Sequence, residues 1–216
     1  MSDANTLLSG DEIRATEGMD DWRSMYDALE ATYRTGDFAT GLEFVNRIGA
    51  AAEAANHHPD VQLSYATVHV LLTSHDVGGK TRRDVDLARQ ISTIAADLEV
   101  TAEPATVQRI ELALDTWDRS QVQPFWAAVL GMRVNDDEIV DDGDIPTIWF
   151  QDADRDTAQR WHIDIRVPPE VADERIAAAL DAGGTLVADD QKPRFVVLAD
   201  PQGNRVCVCT HVTRSH

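Results

Sequence analysis

The hydrophobic spacing of this chain changes abruptly at Pro59. Upstream, Phe38, Leu42, Val45, Gly49 and Ala52 recur every three or four residues, the stripe of an amphipathic helix. Downstream, Val61, Leu63 and Tyr65, then Val68, Val70 and Leu72, alternate with period two, as strands with one buried face do. Proline lacks the amide proton that a helix interior needs, so the helical pattern stops before it. The switch demands a mixed α and β architecture. It predicts a helix over 37–56, capped by Asp37, and then a strand pair or one kinked strand over 61–72. It also leaves His57 and His58 at a helix exit, with His75 just past a strand.

The flanking segments extend this pattern. Ser9-Gly10-Asp11-Glu12 and Thr81-Arg82-Arg83-Asp84 both have capping-box spacing, a hydroxyl followed three residues later by a carboxylate. The first opens a short helix. The second opens a helix whose core stripe is Val85, Ala88, Ile91, Ala95 and Leu98. Residues 22–26 and 28–34 are compatible with a hairpin, and Gly78-Gly79 with a loop. Residues 1–101 therefore run helix, two strands, helix, two strands, helix, an α+β domain with a four-stranded antiparallel sheet. Residues 102–106, where Pro104 interrupts the periodicity, are expected to be a linker.

A weak internal repeat occupies residues 107–216. Ile110, Leu112 and Leu114 alternate, a helical stretch follows, and Gly131 closes it; Ile163, Ile165 and Val167 alternate, a second helical stretch follows, and Gly183-Gly184 close it. Further strand-like runs follow each helix, so two β-α-β-β-β modules are expected. Asp200-Pro201-Gln202-Gly203-Asn204 is a turn before the last strand.

Composition narrows the function. The formal net charge of -19 repels phosphate backbones, which argues against nucleic-acid partners. No window approaches the roughly 18 consecutive apolar residues of a membrane span, and the first residues do not resemble a signal peptide, so a cytoplasmic protein without a membrane partner is expected. Cys207 and Cys209 are the only cysteines. At i, i+2 on a strand they share a face and make no metal or disulfide framework by themselves, and they are expected to pack in the core.

Chemistry concentrates where the helix ends. Four of the seven histidines, His57, His58, His69 and His75, fall between positions 57 and 75. Imidazole is the side chain best suited to moving protons near neutral pH. Glu53 lies one helical turn before His57 and is expected to orient it; Asp84, in the first turn of the next helix, is placed to do the same for His75. A histidine–carboxylate pair with a second histidine suffices for general acid–base catalysis. A zinc site fits less well, because adjacent histidines seldom point the same way and no His-x₃-His spacing accompanies them. His69, in mid-strand, is expected to be structural.

The ordered string Glu53-x₃-His57-His58-Pro59-x₅-Tyr65, then Ser74-His75-Asp76-x₂-Gly79-x-Thr81-x₂-Asp84-x₂-Leu87-Ala88, resembles pterin-4a-carbinolamine dehydratases. The likeness runs from about Leu8 to Asp97 and includes Trp22 and Asp37-Phe38. It implies an α-β-β-α-β-β-α fold and dehydration of a 4a-hydroxytetrahydropterin to the quinonoid dihydropterin, with no metal or organic cofactor. By position it makes His57, His58 and His75 the active-site histidines and Glu53 and Asp84 their supporting acids. Val61, where some members carry an aromatic, and Ser74, where threonine is frequent, are departures. The resemblance also implies a homodimer or homotetramer, as does a short sheet whose edges need covering.

The second half resembles glyoxalase-like domains of the vicinal oxygen chelate superfamily, through Pro124-Phe125-Trp126-Ala127-Ala128-Val129-Leu130-Gly131, Trp161-His162-Ile163-Asp164 and the 200–204 turn. Metal-using members place ligands on the first and last strands of each half. The matching positions here are Glu111, Gln151, His162 and Cys207, the last where glutamate is usual. That mixture is a weak set for a hard cation, so no tightly bound metal is expected. Trp149 and Trp161 are candidates to line a pocket. The expected function is thus pterin carbinolamine dehydration. The alternatives are a non-catalytic dimerisation or binding module, or activity in the second half as a lyase, isomerase, dioxygenase or small-molecule-binding protein.

Overall fold

The computed structural model describes residues 5–141, 146–155, 157 and 160–212. Residues 1–4 and the side chain of Phe125 lie outside what it describes. The chain divides into two compact units, one running to Val107 and one spanning Gln108–Thr210.

In the first unit, Ser9 caps α1 (Gly10–Arg14) and completes the capping box with Glu12. Strands β1 (Arg23–Met25) and β2 (Ala28–Arg34) form a hairpin in which Met25 faces Ala28, so two residues make the turn; the first, Tyr26, has φ 58°. Asp37 caps α2 (Phe38–Ala55) by accepting the Thr40 amide. Strands β3 (Asp60–Ser64) and β4 (Thr67–Leu72) are a true hairpin, which resolves the choice between a strand pair and one kinked strand. Helix α3 (Arg82–Asp97) follows, capped by Thr81. The sheet order is β1-β2-β4-β3, with every described pairing antiparallel.

A short fifth strand, β5 (Thr101–Ala102), joins this sheet against the far end of β2. It corrects the expectation of a linker over 102–106. Ala102 pairs with Tyr33, the Glu103 amide donates to Thr32 O at 2.7 Å, and the Arg34 guanidinium grips the Glu103 carboxylate at 2.7 and 3.0 Å. Pro104 breaks helical periodicity, but this stretch satisfies its backbone on the edge of a sheet.

Leu29, Ala31 and Tyr33 of β2 and Val68, Val70 and Leu72 of β4 meet Phe44 and Ile48 of α2 and Val85, Leu87 and Ile91 of α3 in one core. Tyr33 sits between Trp22 and Phe44, edge-on to both at 6.3 and 5.0 Å. Its hydroxyl and the Trp22 indole N–H converge on Ser92 Oγ, so the polar tips of these buried aromatics are satisfied.

The second unit contains the two expected modules. The first is β6 (Arg109–Thr116), α4 (Arg119–Leu130), β7 (Arg133–Asn135), β8 (Glu138–Val140) and β9 (Ile148–Asp152). The second is β10 (Trp161–Arg166), α5 (Pro169–Asp181), β11 (Thr185–Ala188), β12 (Phe195–Ala199) and β13 (Arg205–Cys209). Gly131 caps α4 at φ 70°, a left-handed conformation that glycine adopts without a Cβ clash. A Cβ on Gly184 would lie 2.7 Å from Ala179 O, so only glycine lets the chain turn so close behind α5.

The modules join through the antiparallel pair β6–β10 into one sheet, ordered β11-β12-β13-β10-β6-β9-β8-β7. Leu112, Leu114, Ile148 and Phe150 pack in a cluster with residues of α4, and Ile165, Val206 and Val208 in one with residues of α5. Strand alternation sends Glu111, Asp115, His162, Asp164 and Cys207 to the opposite face.

Candidate active site

The end of α2 separates the adjacent histidines. Asn56 adopts the left-handed conformation at φ 48°, and the His57 amide reaches back to Ala52 O at 3.1 Å, the long closing bond of a Schellman turn. The chain therefore turns sharply between helix and strand. His57 goes inside, and His58 stays exposed.

His57 meets Asp84. Its Nε2 lies 2.7 Å from Asp84 Oδ1, and the Asp84 side chain is completely buried. The other oxygen, Oδ2, accepts the Thr81 amide at 2.7 Å, the Thr81 hydroxyl at 3.2 Å and the Ser74 hydroxyl at 2.7 Å. Asp84 thus serves both as the capping-box acid of α3 and as the partner of an imidazole. Its place in the first helical turn sets it at the positive end of the backbone dipole, which suits a buried anion.

Ser74 comes from the loop after β4. Its backbone bridges Gly79, and its carbonyl accepts the Val77 and Gly78 amides, so a compact turn fixes the hydroxyl. The next residue, His75, is exposed and makes no hydrogen bond or ion pair with a described residue. Asp76 holds Arg83 at 2.6 Å, and that guanidinium keeps its carboxyl below the usual carboxylate range.

These contacts correct the expected pairings. Glu53 stands 3.1 Å from His58 Nε2, not at His57, and both side chains are largely exposed. Asp84 holds His57, not His75. The spacing Glu53–His57 is right for a regular helix, but the left-handed residue at Asn56 turns His57 off that face. His69 bonds the buried Glu30 at 3.2 Å. Ser74, whose hydroxyl joins the loop to the carboxylate, is a member of the network that spacing did not reveal.

In the second unit the strand registers put the four nominated positions on one face of the sheet, but in different settings. Gln151 is exposed, and Glu111 is buried against Arg166 at 3.3 Å, where burial raises its carboxyl and the guanidinium opposes that rise. His162 and Cys207 do come together, but with Asp164: their ligand atoms all lie within 4.8 Å of one another. Asp164 was not among the expected positions, although its i, i+2 relation to His162 on a strand put it on the same face. Cys207 packs not with Val206 and Val208, which face α5, but on this polar face beside Asp164. Trp149 stands edge-on to His162 at 6.0 Å, whereas Trp161 stacks edge-on with Trp126 at 5.0 Å, so the two tryptophans line no common pocket.

Fold and site together define a class: an α+β protein whose N-terminal unit sets one histidine, His57, against a buried carboxylate that also anchors the loop carrying His75, followed by a paired β-α-β-β-β unit. Residues 6–94 match the family model of pterin 4 alpha carbinolamine dehydratase, and residues 111–209 that of a glyoxalase-like domain. A protein of Thermosynechococcus vestitus named "Putative pterin-4-alpha-carbinolamine dehydratase" is 49% identical over 74 residues, 34% of this chain and 78% of that protein. The chain belongs to the pterin-4a-carbinolamine dehydratase family and carries a C-terminal glyoxalase-like domain.

Two solved structures are similar in part. A transcriptional coactivator/pterin dehydratase from Brucella melitensis is 29% identical, with a TM-score of 0.38, over 42% of this chain and 99% of that one. A glyoxalase/bleomycin resistance protein/dioxygenase superfamily member from Vibrio splendidus is 16% identical, with a TM-score of 0.35, over 48% of this chain and 99% of that one. No helix among the described residues is long and apolar enough to cross a membrane.

Proposed function

We propose that the N-terminal unit dehydrates a 4a-hydroxytetrahydropterin to the quinonoid dihydropterin and water. His57, His58 and His75 carry the proton transfers, and Glu53 and Asp84 support them. The reaction breaks the bond between C4a and its hydroxyl. One imidazolium delivers a proton to the departing oxygen, which leaves as water. A neutral imidazole removes a ring N–H proton, and the electrons of that bond form the new carbon–nitrogen double bond.

The observation that carries this reading is the shared carboxylate. Asp84 binds His57 through one oxygen and, through the other, the serine that precedes His75. His57 is thereby held in one orientation, and the backbone that presents His75 is fixed relative to it. His75 has no described partner to compete with a substrate. Turnover of a 4a-hydroxytetrahydropterin by the full chain tests the assignment. His57→Ala and His75→Ala should each lower the rate by about 10²–10⁴-fold, the usual cost of removing a general acid or base. Near-normal rates in both variants would overturn it.

The first unit also supplies the assembly surface of a homodimer or homotetramer. Strand β3 lies at the sheet edge, and Phe38, Leu42 and Tyr65 are exposed at 51%, 46% and 73%. An open edge beside apolar side chains favours pairing with another copy.

A further inference from the structure

We infer that Lys80 and Thr73 are positioning residues for catalysis, tying both ends of the loop that carries His75 to the Tyr26-Asp27 turn. This deepens the dehydratase reading and rests on it.

The need for such ties follows from His75 itself. Its side chain is exposed and makes no hydrogen bond or ion pair with a described residue, so the backbone of its loop sets where the imidazole stands. On the inner side that backbone is already held. Ser74 and Gly79 bridge each other, and the Ser74 hydroxyl donates to Asp84 at 2.7 Å.

The outer side is held from the β1–β2 hairpin, where Tyr26 and Asp27 make the turn. Ladder bonds in a two-residue hairpin run between the flanking residues. The carbonyls of the two central residues therefore need partners from elsewhere. Lys80 and Thr73 supply them. The Lys80 ammonium donates to Tyr26 O, and the Thr73 hydroxyl donates to Asp27 O at 3.1 Å. Thr73 stands just before Ser74 and His75, and Lys80 just after Gly79. One turn thus grips both stems of the loop. The N-terminal segment adds a third tie, because the Leu8 amide donates to Lys80 O at 2.8 Å.

Two further observations separate this clamp from ordinary packing. Lys80 is 7% exposed, and burying an ammonium is costly unless it is paired, so an apolar residue would serve better as mere filler. A cavity of about 250 Å³ also opens between Leu7, Leu8, the Tyr26-Asp27 turn and residues 78–80. Close packing therefore does not hold the loop against the turn, and its position depends on the polar ties.

Steady-state turnover of a 4a-hydroxytetrahydropterin and amide hydrogen exchange, both on the full chain, test the clamp. Lys80→Met removes the donor at similar length and should lower kcat at least about 10-fold, since a 1 Å misplacement of a reacting group can cost about 10²-fold. KM should stay within about twofold, because the residue does not touch substrate. Lys80→Arg restores a donor, and the cavity beside it admits the larger guanidinium, so most of the rate should return. Thr73→Val should lower kcat in the same way. Amides of residues 74–80 should exchange about 10-fold faster or more in Lys80→Met and Thr73→Val, while those of α2 and β4 keep the parent rates. Parent-like kcat and parent-like loop exchange in both variants would overturn the inference. So would a raised KM at unchanged kcat, or a rise in exchange spread evenly over loop, α2 and β4. If Lys80→Met does not fold, Thr73→Val decides. A parent chain without turnover sinks the dehydratase reading itself, whereas an active parent beside unaffected variants sinks only the clamp.

Discussion

His57 Nε2 lies 2.7 Å from Asp84 Oδ1, an imidazole from the end of one helix against a carboxylate from the start of the next, with Asp84 fully buried. Replacing the carboxylate by an amide tests this link. Asp84→Asn keeps the volume and an acceptor for the Thr81 amide but removes the charge beside His57. Dehydratase turnover should fall, with a stability loss of about 1–3 kcal/mol for the disturbed buried bonds. Initial rates and urea unfolding of the same preparations check both effects.

Ser74 is predicted to be a positioning residue that never touches substrate. Ser74→Ala deletes a hydroxyl bonded to a buried carboxylate and should cost about 1.5–3 kcal/mol. Turnover should fall while KM changes little. Ser74→Thr keeps the hydroxyl and should restore most of the rate, which a purely steric role for the side chain would not require.

The His58–Glu53 pair behaves differently, because both side chains are exposed, at 57% and 80%. Glu53→Gln should change stability by less than about 1 kcal/mol, as is usual for surface ion pairs. Any loss of turnover in this variant would then report on substrate handling and not on folding. A midpoint shift comparable to that of Asp84→Asn would contradict the exposed arrangement.

The two thiols should be inert in the folded, metal-free chain. Burial pushes Cys209 up to about 12 and Cys207 higher still, with Asp164 adding to both rises. A raised thiol pKa leaves less thiolate at pH 8, and only the thiolate is alkylated rapidly. Iodoacetamide at pH 8 should therefore modify neither cysteine until denaturant is added, when mass spectrometry should find two adducts. Reactivity should rise as pH climbs toward the raised values.

Light scattering should return a mass above that of the 23.8 kDa chain at micromolar concentration. Leu42→Glu, which places a charge on the exposed apolar surface of α2, should shift the distribution toward monomer. A parent chain that runs as a monomer would remove the proposed assembly.

Local patterns in the sequence carried much of this architecture. Pro59 ended α2, period two marked β3 and β4, and the capping boxes at Ser9 and Thr81 located two helix starts. Each depends on backbone chemistry within a few residues, which is why it can be read without coordinates. Paired β-α-β-β-β modules were equally visible, because Gly131 and Gly183 meet the same demand for positive φ where a helix ends.

Which side chains meet was decided by the tertiary structure. A helical wheel pairs Glu53 with His57, but one left-handed residue at Asn56 sends His57 inward to Asp84. Alternation places His162 and Asp164 on one face of a strand. Only the parallel register of β10 against β13 brings Cys207 to Asp164, and only the antiparallel register of β10 against β6 sets Glu111 beside them yet tied to Arg166. The sequence by itself determined the elements and the residue types available for proton transfer, because those follow from short-range sterics and periodicity. The pairing of acid with histidine, and of histidine with thiol, came from packing between elements distant in the chain, where a shift of one residue in register would have chosen different partners.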